Sequence, residues 1–228
     1  MQVLTSHSSF PVLEALGPAF ERATGRRYSV ARESAKVMLA RIKDGERADA
    51  VVLGTSAVDE LDRLGIVAGP TRRPFARSRV GVAVRAGSPK PDIGTVAAFK
   101  RALLEARSIA HTVHGASGLY VPVLLERLGI AEQVKPKTVT RPGGYIARVV
   151  AGGEAELAIQ QIVELLAVPG VELVGPLPDE IQKVFETSAA IFSSCRQRAA
   201  AEELIRFILD PAVAGVFREK GLEQIPGA

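Results

Sequence analysis

At 228 residues the chain can bury a sizeable core, as one large domain or as two lobes of about 100 residues each. Its 47% hydrophobic and 24% charged residues are a globular balance, and a formal net charge of only +4 is too small and too scattered for a nucleic-acid stripe. Scarce aromatics and no Trp exclude a base- or sugar-stacking surface, and a single cysteine excludes an intramolecular disulfide and a cysteine-built metal cluster.

In chain order, Val3-Leu4 is a short β-like run that opens into Thr5-Ser6-His7-Ser8-Ser9-Phe10-Pro11. A hydroxyl-rich turn between a strand end and a helix start presents free backbone N–H groups and the positive end of a dipole, which is a cradle for an anion. A helix is predicted over Pro11 to Thr24, its apolar stripe Val12, Leu13, Leu16, Ala19 and Phe20, with a kink or break at Gly17-Pro18 and a stop at Gly25. Arg27 to Ala31 reads as a second strand, followed by Arg32-Glu33-Ser34-Ala35-Lys36, a second cradle. Ser34 is expected to cap a helix over Ala35 to Lys43, with Val37, Met38 and Ile42 inward.

Ala48 to Gly54 is an apolar strand of the buried, parallel kind, and Thr55-Ser56 a third hydroxyl-bearing turn. Ser56 with Asp59 forms a capping signature for a helix ending near Leu64. A basic loop from Gly69 to Arg77 precedes a strand over Arg79 to Arg85. The cluster Arg72, Arg73, Arg77 and Arg79 reads as solvated surface. Helix Thr95 to Arg107 and strand Ser108 to Val113 then lead to a fourth turn, His114-Gly115-Ala116-Ser117-Gly118, opening a helix over Leu119 to Leu128.

Further strands are expected at Lys137 to Arg141, Ala155 to Gln161, Val171 to Val174 and Thr187 to Phe192. Helices are expected at Gly143 to Val150, Arg196 to Leu209 and Pro211 to Lys220. The sustained β-α alternation defines an α/β class with mainly parallel sheets. Cys195, in the apolar run Ile191-Phe192-Ser193-Ser194, reads as buried filler rather than a nucleophile. Three histidines without paired spacing argue against a metal, so no metal and no cofactor is expected. No apolar run approaches the ~20 residues of a membrane span, and Met1 followed at once by a strand pattern leads to the expectation of no leader within this sequence. The expected location is periplasmic if a signal peptide was removed, and cytoplasmic if Met1 is the native start.

Gly152-Gly153-Glu154-Ala155-Glu156-Leu157-Ala158-Ile159 resembles a segment of bacterial extracellular solute-binding proteins close to the periplasmic molybdate-binding proteins. So do Ala48 to Leu53, Ser34 to Ile42, Gly118-Leu119-Tyr120 with Leu125-Leu128-Gly129, and the end of the chain, all in the family's order. The resemblance implies a two-lobe periplasmic-binding-protein type II fold, each lobe a mostly parallel sheet flanked by helices, with an anion held in a cleft between the lobes. Lobe I would be residues 1–80 and 187–228, lobe II residues 81–186, and Val80–Val84 with Thr187–Phe192 the crossing hinge strands.

Carried over by position, the ligand-binding residues are Ser6 (or Ser8), Ser34 and Thr55 in lobe I, and the backbone of Gly115, Ala116 and Ser117 with Gln161 in lobe II. Gln161 replaces the tyrosine of the molybdate binders, and His7 and His114 have no counterpart there. Those departures favour an organic carboxylate over a compact oxyanion. Arg141, at a strand end beside Pro142-Gly143-Gly144, is a candidate carboxylate clamp. A solute-binding protein partnered by a membrane component of an ABC transporter is the first expectation, as a monomer with no nucleic acid and no membrane insertion. The alternative is a small-acid isomerase similar to aconitate isomerase, for which His7, His114 and Glu33 are the available acids and bases.

Overall fold

A computed structural model describes residues 1–225. The elements run β1 (Gln2–Ser6), α1 (Phe10–Thr24), β2 (Ser29–Glu33), α2 (Ala35–Lys43), β3 (Ala50–Gly54), α3 (Thr55–Arg63) and β4 (Arg73–Arg85). They continue with α4 (Val96–Glu105), β5 (Ile109–Thr112), α5 (Ala116–Arg127), α6 (Ala131–Val134), β6 (Thr138–Arg141), α7 (Ala147–Ala151), β7 (Leu157–Gln161), α8 (Ile162–Leu166) and β8 (Val171–Pro176). The last are β9 (Val184–Ile191), α9 (Arg198–Leu209), α10 (Ala214–Glu219) and β10 (Glu223–Gln224). The chain forms two compact units, one of Met1–Arg77 with the chain from Phe185 on, the other of Ser78–Val184.

In the first unit β1 lies between β2 and β3, parallel to both, with Ser6 opposite Glu33 and Thr5 opposite Val52. β9 returns antiparallel beside β3, placing Thr187 opposite Gly54 and Ser188 opposite Leu53. The start of β4 carries β10 in the register Arg77 to Glu223. One face of this sheet, with Leu4, Val51, Leu53 and Ala190, buries Met38 and Ile42 of α2 and Val58 and Leu61 of α3. Elsewhere Phe20 of α1 meets Tyr28 and Phe207 edge-on, and Phe75 stacks at a tilt on Phe217. Each fully buried ring or aliphatic side chain of this kind contributes roughly 1.5–3 kcal/mol of hydrophobic stabilisation.

The second unit repeats the plan with β7-β5-β6 parallel and in that order, β4 antiparallel beside β7, and β8 on the other edge of β4. Ala83, Ala110 and Ala158 of the sheet are small, so Ile146, Val150, Leu165 and Val168 pack down onto it.

The prolines and caps depart most from expectation. Helix α1 runs through Gly17-Pro18 without a break. Pro18 and Glu14, whose carbonyl loses its helical donor, both lie on the exposed face, where that carbonyl is open to solvent rather than buried unpaired. Ser34 and Gly54 occupy the cap positions of α2 and α3, yet neither helix start has a side-chain cap bond, so neither Ser34 nor the Ser56–Asp59 pair caps as expected. Thr95 does cap α4, accepting from the Ala98 N–H at 3.1 Å. The expected basic loop is instead a 3-10 turn followed by a strand that starts at Arg73, in which Phe75, Ala76 and Ser78 are buried while Arg77 and Arg79 stay exposed. The short α6 and α8 and the strand β10 carry too few residues to show a period. Helix α5 begins at Ala116 rather than Leu119, and α7 spans only Ala147–Ala151.

Candidate functional site

Because β2, β1 and β3 are adjacent and parallel, their C-terminal ends share one edge of the first unit, and α1, α2 and α3 all start there. That geometry gathers hydroxyls. Ser6, Ser8, Ser9 and Ser34 are all buried, and Ser6 Oγ lies 3.0 Å from Ser8 Oγ. Thr55 Oγ1 lies 2.9 Å from Ser188 Oγ, a partner 133 residues away that only the antiparallel return of β9 supplies. The His7 N–H donates to the Glu33 carbonyl at 3.1 Å, tying the first turn to the second. The Ser34 N–H donates to the Glu33 carboxylate at 2.7 Å, so that carboxylate is engaged within its own turn. The Arg32 guanidinium stacks 3.7 Å from the Phe10 ring centre at the start of α1.

The corresponding edge of the second unit is built by the ends of β5, β6 and β7. The N–H groups of Val113 and His114 donate to the carbonyls of Arg141 and Pro142, fastening the fourth turn to the end of β6. Helix α5 sits so close to β5 that a Cβ at Gly118 would lie 2.1 Å from the Thr112 carbonyl oxygen, and one at Gly115 2.7 Å from Thr112 Oγ1. The glycines of His114-Gly115-Ala116-Ser117-Gly118 are therefore required by close approach. Thr112 and Ser117 are both 1% exposed, and neither hydroxyl has a partner among the described residues.

Adjacent glutamines at the end of β7 take opposite roles, as strand alternation requires. Gln160 is structural: its Oε1 accepts from the Ile146 N–H at 2.9 Å and its Nε2 donates to the Gly144 carbonyl at 2.8 Å. Gln161 Nε2 lies 3.4 Å from Glu164 Oε2, while its Oε1 is buried and without a partner among the described residues. Burial pushes the Glu164 carboxyl up to about 8, against bonds from the Gln161 backbone and side chain that lower it.

The remaining candidates are placed as follows. Arg141 bonds Glu154 at 2.6 Å and its neighbour's carbonyl at 3.1 Å, so its guanidinium is committed on the surface. His7 and Glu33 belong to the first unit and His114 to the second; all three are half-buried. Tyr120 Oη donates to the Ile181 carbonyl at 2.6 Å, consistent with helix packing. Cys195 is half-buried rather than buried, and its thiol donates to Asp49 at 3.4 Å. Burial, reinforced by Asp49 and opposed by a bond from the Gln197 backbone, raises its pKa. Among the described residues no group of three or more His, Cys, Asp or Glu is placed to hold a metal ion, and no helix is long and apolar enough to cross a membrane.

Sequence reasoning passed over Ser9, Thr112, Ser188, Glu164 and the buried His111. Thr112 stood in a strand pattern just before a Gly/Ser turn, which is a usable signal. Ser188 had none.

Parallel sheets in two units, with hydroxyl-bearing turns at the C-terminal strand ends, define a periplasmic-binding-protein type of fold. The family model for bacterial extracellular solute-binding proteins matches residues 1–223, and the chain belongs to that family. It is 34% identical over 232 aligned residues, 99% of this chain and 88% of the relative, to an aconitate isomerase from a Pseudomonas species. Among solved structures it is similar to the periplasmic molybdate-binding protein of Azotobacter vinelandii, with a TM-score of 0.83 and 20% identity over the whole of both chains. It is also similar to the sulfate-binding protein SubI of Mycobacterium tuberculosis, with a TM-score of 0.78 and 17% identity over 99% of this chain and 86% of that one. These structural likenesses concern the fold.

Proposed function

We propose that the chain binds a small organic anion carrying carboxylates, as the capture protein of an ABC transporter. The residues proposed to contact it are Ser6, Ser8, Ser34, Thr55, the Gly115–Ser117 backbone and Gln161. The observation that carries this reading is the gathering of buried hydroxyls at one strand edge, where helix starts add N–H groups and favourable dipoles. Neutral donors suit an anion that must be released again. An amide offers a donor and an acceptor, which suits a ligand carrying hydroxyls or protonated carboxyls better than a fully ionised oxyanion. The 34% identity to an aconitate isomerase supports a carboxylate.

That same identity favours a second reading, an isomerase that moves a proton on such an acid. It requires a base near a carbon made acidic by neighbouring carboxylates, with His7, His114 or Glu33 in that role. Thermal-shift and calorimetric titration with trans-aconitate, citrate, succinate, sulfate and molybdate tests the first reading. Stabilisation by a carboxylate is expected, and stabilisation by molybdate or sulfate alone overturns it. Proton NMR of the bound acid in deuterated water separates the two: exchange or interconversion of the ligand establishes the isomerase, and a ligand unchanged over days excludes it.

A further inference from the structure

Gln161 ends β7 and Glu164 stands one turn further on in α8, so their side chains meet on one side of the strand-to-helix junction. Both are nearly sealed from solvent, at 3% and 5% exposure. Gln161 Nε2 lies 3.4 Å from Glu164 Oε2, and Gln161 Oε1, at the other end of the same amide, is buried without a partner among the described residues. A buried amide oxygen left unpaired costs roughly 1–3 kcal/mol, so this end of the group calls for something to bond it.

The two ends of an amide are almost the same size, and turning it over exchanges a donor for an acceptor without moving anything else. An ionised Glu164 only accepts, so it holds Nε2 and leaves the oxygen outward. A protonated Glu164 keeps one accepting oxygen and gains an O–H, which can donate to Oε1, the atom left unpaired here; the amide turned in that way leaves its NH2 outward. We propose that Glu164 is a positioning residue for the ligand: it decides which end of the Gln161 amide is presented, and its protonated form presents the donor that an anion needs.

The surroundings favour the neutral form. Burial raises the Glu164 carboxyl to about 8, and no charged group contributes to that shift. β7 carries no charged side chain. On β8, Glu172 is occupied by the Gly87 N–H at 3.1 Å and by Lys90 at 3.1 Å. On β4, Arg79 is paired with Asp179, and Arg85 sits at the far end of the strand from Arg79. The structure holds the arrangement with Nε2 on Glu164 and Oε1 unpaired; protonation of the buried carboxyl is the change that bonds Oε1 and sets the amide to receive an anion. Above pH 8 it ionises, the amide turns, and the outward oxygen repels the anion.

The proposal rests on the reading that Gln161 faces the ligand, so its test has one arm with ligand and one without. Titration calorimetry with trans-aconitate and with sulfate, from pH 6.5 to 9.5, reads the first. Affinity is expected to fall about tenfold per pH unit above pH 8, the slope of one linked proton. Glu164→Gln keeps a donor for Gln161 and cannot ionise, so it is expected to abolish the slope while keeping the affinity at pH 6.5 within about threefold of wild type. Glu164→Ala, which leaves Gln161 without a fixed partner, is expected to weaken binding at every pH. A slope that survives in Glu164→Gln, or a flat wild-type profile, overturns the proposal. In the ligand-free protein the side-chain NH2 resonances of Gln161 are expected to titrate near pH 8, and to stop doing so in Glu164→Gln. An amide that does not titrate overturns the coupling whatever binds. An amide that titrates in a protein binding neither probe refutes the ligand reading, and with it the role assigned to Glu164.

Discussion

Replacing Gly118 with alanine tests how the second unit holds its turn at the end of β5. The added Cβ would lie 2.1 Å from the Thr112 carbonyl oxygen and 2.6 Å from both the Thr112 carbonyl carbon and Oγ1. A comfortable C···O approach is about 3.3 Å, so helix and strand must separate by about 1.2 Å. Neither side yields easily. The obstructing atoms are mostly backbone, and the Thr112 carbonyl is 2.8 Å from the His111 Nδ1. Overpacking costs of ~1–3 kcal/mol are typical, and a backbone clash belongs at or above the upper end. At ~2–4 °C per kcal/mol for a chain of this size, Gly118→Ala should lower Tm by roughly 6–12 °C. It should also weaken carboxylate binding more than tenfold, because the same shift displaces Gly115 to Ser117. The control is Gly215→Ala, at an exposed helical site where the added Cβ meets only Arg218 Nη2 at 3.9 Å, and where a gain of about 0.5–1 kcal/mol is expected. Thermal melts and urea titrations measure both. A Gly118→Ala protein melting within 2 °C of wild type would refute the close-approach reasoning.

Glu164 carries a stability signature of its own. Its native carboxyl, moved from 4.5 to about 8, holds a proton that the unfolded chain releases, so this contribution to stability falls as pH rises from 4.5 to 8 and then levels off. Glu164→Gln removes that fall, and at pH 8.5 the gain is at most about 5 kcal/mol, since water entry and relaxation reduce the cost; a urea midpoint unchanged at pH 8.5 would contradict it. His111 acts with the opposite sign, because burial lowers its pKa below the ordinary 6.5. Stability should therefore drop as pH falls below 6.5, where the unfolded chain takes up a proton first, and His111→Gln should flatten the drop in urea midpoints between pH 7 and 5. Phe20→Ala removes a fully buried ring packed edge-on against Tyr28 and Phe207, and should cost ~3–5 kcal/mol by chemical denaturation. Ser34→Ala should weaken carboxylate binding by ~1.5–3 kcal/mol, the value of a bond to a charged group, and an unchanged Kd would remove Ser34 from the site.

Helix α2 was legible to the residue, because a turn residue, an apolar stripe and a glycine stop coincide at Ala35–Lys43. Strand β4 was legible only in its second half. Its first half is rich in arginine and contains a proline, and it becomes a strand through pairing with β10, whose two residues carry no pattern. The same contrast holds at the site. Ser6, Ser8 and Ser34 stood out because hydroxyls cluster where strands turn into helices. Ser188 lay unremarked in an apolar strand, and Arg141 looked available until Glu154 was found against it.

The sequence by itself determined the strand–turn–helix units, the hydroxyls and glycines of their turns, and the α/β class. Turn chemistry and periodicity act over a few residues, so they are written locally. Tertiary structure alone decided which turns share an edge, because strand order and direction are set by packing across the whole chain. It also decided the state of Glu164, which in sequence is one carboxylate among many. Burial raises its pKa to about 8, while the Gln161 amide donates to it.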